Sequence, residues 1–449
     1  MIYLSSRTRD VERWSRGEAG GQIIKENRGR TVWRVPVGAP ALYVKRFPPE
    51  VFRDRARKEA ALLRELGGEG IPCPKVVAWA QDALGSYLLT EEIEGARPLR
   101  ALLAQGAPER SSLLRSFGAL ARRLHDRGIE HLDFHVGNVL VKEGELYVLD
   151  VHRARRGRPS RSRRLEGVAF AALSFVDLVP LTGLFRFLRA YGIQSREETL
   201  EVCRRLRRRR EKYFRGRDAR CLKESTGFGR EDGIYYRKGV DLPSVRGAVE
   251  AGGRPVKGSD RERVEVLPGG LYVKHTSRAR ALRTWKNAHA LEVRGLPTPK
   301  LRACGPGWVV GDWMDAPNVG DVAQGAWSSM SRRDRNAFLS GLARLVRRLH
   351  ELGVYHRDLK SSNILSGSGG CQFVDLDAVR LGRAVSPRER TFNLAQLSAS
   401  VSSAVTRADR VRFLRVYIGR DQALWKRRRA WIGQLMTLTR QRRHLWPPR

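Results

Sequence analysis

The chain has 449 residues, 41% of them hydrophobic and 30% charged, which gives room for two or three cored domains and excludes a disordered polymer. Its 86 Lys+Arg against 47 Asp+Glu give a net charge of +39, so a polyanionic partner is expected: nucleic acid, an anionic membrane surface or a phosphorylated substrate. Cys73, Cys203, Cys221, Cys304 and Cys371 are scattered, odd in number and form no CxxC pair, which argues against a disulfide framework or a zinc site and for a reducing cytoplasm. Residues 1–16 are charged and offer no apolar core for a signal peptide.

In chain order, residues 22–35 alternate as strands do, and 41–45 read as a short apolar strand. A charged helix is expected over 51–66 and further short strands follow, including 86–90. Another helix is expected over 110–127, with Leu113, Leu114, Phe117, Leu120, Ala121 and Leu124 near helical spacing. A polar loop comes next, and the remainder reads as mostly helical. Residues 168–185 are apolar, but Asp177 and Pro180 interrupt them, so a buried helix pair is favoured over a membrane span.

The pattern then repeats. Ile129-Glu130-His131-Leu132-Asp133-Phe134-His135-Val136-Gly137-Asn138 corresponds to Val354-Tyr355-His356-Arg357-Asp358-Leu359-Lys360-Ser361-Ser362-Asn363, at an offset of 225 (358 − 133). Asp150 and Asp375 keep that offset, as do Pro72 and Pro297, and Tyr191 and Tyr417 keep 226 (417 − 191). A spacing held over so long a stretch marks a duplication. The expected architecture is therefore α+β: two tandem protein-kinase-like bilobal domains, residues 1–215 and 216–449, each with a strand-rich front and a helical back. The seam is placed within the Arg-rich stretch 211–222.

The repeated polar residues suit phosphoryl transfer. Asp133 would orient the acceptor hydroxyl and take its proton, while Asn138 and Asp150 would hold Mg²⁺ on the phosphates of ATP. Lys45 would reach the phosphates and Glu59 would fix it. In the second copy Lys274, Asp358, Asn363 and Asp375 fall in the same order. Each residue alone is a weak signal and is more often a turn or cap residue; the ordered set, found twice, is a strong one. Protein-kinase features are missing: His152 and Asp377 stand where Gly follows the Phe of Asp-Phe-Gly, and there is no Ala-Pro-Glu segment. No GxGxxG or P-loop is present, and the segments left to cover a nucleotide are 25–30 and 257–260.

On Lys25-Glu26-Asn27-Arg28, Gly70-Ile71-Pro72-Cys73-Pro74 and His131-Leu132-Asp133-Phe134-His135-Val136-Gly137-Asn138, the chain resembles the lipopolysaccharide kinase (Kdo/WaaP) family. Ser277-Arg278-Ala279-Arg280, Gly295-Leu296-Pro297-Thr298-Pro299, Asp375-Leu376-Asp377-Ala378-Val379-Arg380-Leu381 and Asn393-Leu394-Ala395-Gln396-Leu397 carry the likeness in the second copy. The resemblance implies ATP-dependent phosphorylation of a heptose or Kdo hydroxyl on lipid-linked lipopolysaccharide, at the cytoplasmic face of the inner membrane. Two departures stand out. Thr284 takes the place of Glu59 (284 − 59 = 225), so Lys274 is expected to lack a carboxylate partner, with Glu292 a surface residue. His356-Arg357-Asp358-Leu359-Lys360 is also nearer a Ser/Thr protein kinase loop than its counterpart is. The first copy is accordingly expected to be the main catalyst, and the second a slower kinase or an ATP-binding regulator.

Arg153, Arg155, Arg156, Arg158, Arg161, Arg163 and Arg164 follow Asp150. They read either as a solvated basic loop or as a surface for an anionic glycolipid or sugar acceptor, with peripheral contact to an anionic membrane as a further role. The run 204–210 reads as a charged helix face. The stretch 425–446 suits helix packing or a membrane interface. The competing functions are a Ser/Thr protein kinase and a tandem kinase/pseudokinase scaffold that binds ATP. Nucleic acid is disfavoured, because no basic motif is interleaved with aromatics.

Overall fold

A computed structural model describes residues 21–27, 29–36, 40–49, 54–83, 85–259, 262–419 and 421–441. Residues 1–16, Arg28, Asp260 and Trp446, which the sequence reading touched, lie outside these. The chain divides into two compact units, Met1–Arg210 and Glu211–Arg449, and both mix strands with helices.

In the first unit the alternating segment folds as a hairpin. It opens an antiparallel five-stranded sheet in the spatial order Gln22–Asn27, Arg30–Val35, Leu42–Phe47, Gly85–Glu91 and Val76–Asp82. Successive strand residues face opposite sides. Leu42 and Val44 therefore join one small core with Tyr87 and Leu89, while Phe47 joins the main core with Leu88 and the helix Arg55–Gly68. Lys45 shares the side of Phe47. The helix is capped by Asp54, which accepts from the Arg57 N–H at 2.9 Å. Its buried stripe is Ala56, Glu59, Ala60, Leu62, Leu63 and Leu66, so a carboxylate sits in an otherwise apolar face.

Behind the sheet, the helix Arg110–Asp126 buries the apolar residues read from the sequence and packs on Leu181–Tyr191. The apolar stretch 168–185 is split into the helices Arg161–Leu173 and Leu181–Tyr191, the second starting after Pro180. Val168, Ala169, Ala171, Ala172 and Phe175 are fully buried, whereas Leu181 and Phe185 are exposed. Among the described residues no helix is long and apolar enough to cross a membrane.

The second unit has a seven-stranded sheet in the order Phe228–Glu231, Ile234–Arg237, Leu301–Gly305, Trp308–Asp312, Leu271–His275, Glu262–Leu267 and Arg254–Ser259. The sequence reading gave both copies the same elements. Here the strands Phe228–Glu231 and Ile234–Arg237 and the helix Leu242–Ala251 extend the front of the unit. The stretch after Trp425 folds as Arg428–Arg440, whose Trp431 is buried, stacks on Tyr417 and donates to Thr391 Oγ1 at 2.9 Å. As far as Arg440, this stretch packs as a helix.

Candidate active site

The strand Glu145–Val148 of the first unit ends in a tight turn at Asp150, which lies in the left-handed region at φ 61°, ψ 49°. The same turn recurs at Asp375, at φ 56°, ψ 52°. A residue with a Cβ adopts this conformation at a cost of about 1–3 kcal/mol, and such strain gathers at functional sites. In the first unit Lys45 Nζ lies 2.7 Å from Glu59 Oε1 and 3.3 Å from Asp150 Oδ1. Arg30 and His152 also donate to Asp150, His152 Nδ1 at 2.6 Å. Burial opposes the charge on Asp150, but the His152 hydrogen bond and the Lys45 and Arg30 cations outweigh it and hold the carboxyl well below the usual carboxylate range.

The polar loop is built from backbone and side chain together. His131 Nδ1 accepts from the Asp133 N–H at 3.2 Å, which puts its proton on Nε2, 3.1 Å from the Leu149 carbonyl. Burial holds this imidazole below its ordinary pKa, so it stays neutral and keeps that tautomer. His131 thus ties the Asp133 loop to the segment carrying Asp150. Asn138 Nδ2 donates to the Asp133 carbonyl at 3.0 Å, so Oδ1 is the atom of this side chain that could hold a cation. Asp133 itself is 29% exposed and its Oδ1 is 3.7 Å from His135 Nε2.

The second unit repeats the construction. His356 Nδ1 accepts from the Asp358 N–H at 3.3 Å, and its Nε2 is 3.1 Å from the Val374 carbonyl. Asn363 Nδ2 donates to the Asp358 carbonyl at 2.8 Å, and Lys360 Nζ is 2.9 Å from Asp358 Oδ2. Lys274 Nζ is 2.7 Å from Asp375 Oδ1, 3.1 Å from Glu262 Oε2 and 3.7 Å from Asp377 Oδ1. Burial would lower the Lys274 pKa, but the charge and hydrogen bond of Asp375, with Asp377 and Glu262, raise it above the ordinary value. Of the adjacent pair, Asp375 is held low by Lys274 against its burial, while burial and Asp375 push Asp377 up.

The expectation that Lys274 lacks a carboxylate partner is therefore corrected. Thr284 is buried with its hydroxyl unpaired, and Glu262, one strand over, supplies the carboxylate that sequence reading missed. Its signal was sheet alternation: Val264 pairs with Lys274, so Glu262 lies on the same face. Glu292 sits 47% exposed in an ion pair with Arg237, as a surface residue would.

The second unit also holds its loop through a buried network. Asn393 Nδ2 donates to the His356 carbonyl at 2.6 Å, Gln396 Nε2 to the Arg357 carbonyl at 2.8 Å, and His350 Nε2 meets Asn393 Oδ1 at 3.1 Å. Gly167 and Phe170 stand in those places in the first unit, at the offset of 226 that Ser174 and Ser400 keep (400 − 174). There Phe134 stacks against Phe117 instead, while Ser174 Oγ, which accepts from the Val136 N–H, has its counterpart in Ser400 Oγ, which accepts from the Ser361 N–H at 2.8 Å.

Of the seven arginines after Asp150, Arg156 pairs with Glu65 and Glu69, Arg161 with Glu198, Arg163 with Glu130 and Arg164 with Asp126. Most of the run is thus tied into the fold. The run 204–210 lies on the helix Arg196–Asp218, where Arg205 and Arg209 reach Glu166.

A two-layer unit with a Lys–Asp pair at the sheet and an Asp–Asn loop below it is protein-kinase-like. More narrowly, the chain belongs to the lipopolysaccharide kinase (Kdo/WaaP) family, whose sequence model matches residues 21–180 and 269–417. It is 42% identical over 103 residues to 3-deoxy-D-manno-octulosonic acid kinase of Actinobacillus succinogenes, covering 21% of this chain and 42% of that protein. It is 31% identical over 129 residues to KEOPS complex subunit Bud32 of Pyrococcus abyssi, covering 29% and 54%. A solved structure of WaaP in complex with acyl carrier protein aligns at 20% identity and a TM-score of 0.39, over 47% of this chain and 98% of that one. The chain thus spans about half the length of the curated relatives it matches.

Proposed function

We propose that the chain is an ATP-dependent kinase with two tandem catalytic copies, which phosphorylates a sugar hydroxyl of the lipopolysaccharide core, heptose or Kdo, or of a related glycolipid. The observation that carries this reading is the convergence, in each unit, of a strand lysine on a strained aspartate tied through a histidine to a second, partly exposed aspartate. In this reading Lys45 and Lys274 hold the phosphates and Asp133 and Asp358 orient the acceptor hydroxyl and accept its proton. His131 and His356 keep each loop in register with the turn behind it. The remaining donors, Asp150 with Asn138 and Asp375 with Asn363, are oxygens, and both amide nitrogens are already spent on loop carbonyls. That set fits a hard divalent cation such as Mg²⁺, which would neutralise phosphate charge when bound.

Family membership and the 3-deoxy-D-manno-octulosonic acid kinase relative favour a sugar acceptor over a protein one. The basic composition suits an anionic glycolipid and peripheral contact with the inner face of the inner membrane. Mass spectrometry of lipopolysaccharide from cells lacking the gene tests the reading. A core lighter by one phosphate is expected, and an unaltered core would overturn it.

A further inference from the structure

The two units hold their lysines with the same kinds of charge in exchanged places. In the first, Val32 pairs with Lys45, and Arg30, two residues earlier on the strand, turns to Asp150. In the second, Val264 pairs with Lys274, and the residue two earlier is Glu262. The register therefore makes Arg30 and Glu262 equivalent. The strand position that carries a cation in one unit carries a carboxylate in the other, and the helix position changes from Glu59 to Thr284. Arg280, one turn before Thr284, donates to Glu262 Oε1 at 2.7 Å and lies 3.4 Å from Asp377 Oδ2.

We infer that Glu262 is the positioning residue for Lys274: the carboxylate that fixes the phosphate-binding lysine has moved from the helix to the neighbouring strand, and Arg280 clamps it there. Glu262 Oε2 faces Lys274 and Oε1 faces Arg280, so each oxygen meets a cation and the rotamer is held from both ends. This rests on the reading that the second unit binds ATP through Lys274. It also removes the ground for treating that unit as impaired.

The test uses the full-length chain carrying Asp133→Ala, which confines turnover to the second unit, and follows ADP formation with purified lipopolysaccharide present. Glu262→Gln should lower kcat by roughly ten- to a hundredfold, because small misplacements are costly in phosphoryl transfer, with a lesser effect on the KM for ATP. Adding Thr284→Glu rebuilds the helix carboxylate and should restore most of the loss, which repair of a merely structural defect would not do. Should that double variant not fold, Arg280→Gln gives a second reading, since freeing Glu262 should lower kcat in the same direction. Retained kcat in Glu262→Gln, where Asp375→Asn abolishes turnover, would overturn the inference alone. Unchanged turnover in Asp375→Asn would overturn the reading of the second unit, and the inference with it.

Discussion

Asp150 and Asp375 show how little freedom the chemistry leaves a single residue. Each is bent into the left-handed region and each faces a lysine that its sheet delivers. Because burial is outweighed by His152, Lys45 and Arg30, Asp150 keeps its charge further into acid than an ordinary carboxylate does. Activity of the first unit should therefore show no acid limb from this carboxylate. Asp150→Asn keeps the size and removes the charge that the Lys45 and Arg30 cations share. It should cut phosphoryl transfer by the first unit at least about a hundredfold while leaving ADP formation by the second intact, as assayed in an Asp358→Ala background and in its absence. The candidate residues that the two sites bring together, Lys45, Asp133, Asn138 and Asp150 and then Lys274, Asp358, Asn363 and Asp375, were named from the sequence, because motif spacing survives without knowledge of the fold. Glu262 was not, because its partnership with Lys274 runs across a sheet rather than along the chain.

Among the elements, the helix behind the Asp–Asn loop differs in kind between the units: Arg161–Leu173 in the first places Gly167 and Phe170 where Pro387–Ala399 in the second places Asn393 and Gln396. Asn393 is fully buried and serves three partners. Asn393→Leu would leave the His356 carbonyl and the His350 ring without it, at a cost of about 1–3 kcal/mol for each unpaired buried group. Thermal unfolding should show the second transition lowered and the first unmoved. His350, beneath this network, is held down to about 4 by burial. The unfolded chain takes up a proton near pH 6.5 that the folded unit refuses until about 4, so the second unit should lose stability progressively as pH falls from about 6.5 toward 4. Melting followed across that range should show the loss, and His350→Gln should flatten it. The helices of the back half were readable from apolar spacing. The additional front strands of the second unit were not, since Phe228–Glu231 and Ile234–Arg237 are short and half polar.

At the scale of the whole molecule, the charge of +39 is partly structural, since Arg156, Arg161, Arg163, Arg164, Arg205 and Arg209 are spent on acidic neighbours. Among the described residues, Arg153, Arg155 and Arg158 form no such pair, which makes them the candidates of this run for an anionic acceptor. Changing these three to Gln should raise the KM for lipopolysaccharide and leave that for ATP alone. The effect should fade with added salt, because exposed charges are screened over about 8 Å at physiological ionic strength. Arg163→Gln, by contrast, should act on stability and be indifferent to the acceptor. Composition could announce an excess of cations but could not say which ones the fold had already paired.

Transfer of labelled γ-phosphate from ATP to purified lipopolysaccharide core tests the central claim most directly. The full-length chain is compared with Asp133→Ala, Asp358→Ala and the double variant. Loss of a catalytic base costs roughly 10²–10⁴-fold at the site that carries it. Two competent sites predict that each single variant keeps the activity of the other unit and that only the double variant loses transfer. Undiminished transfer by the double variant would contradict the account.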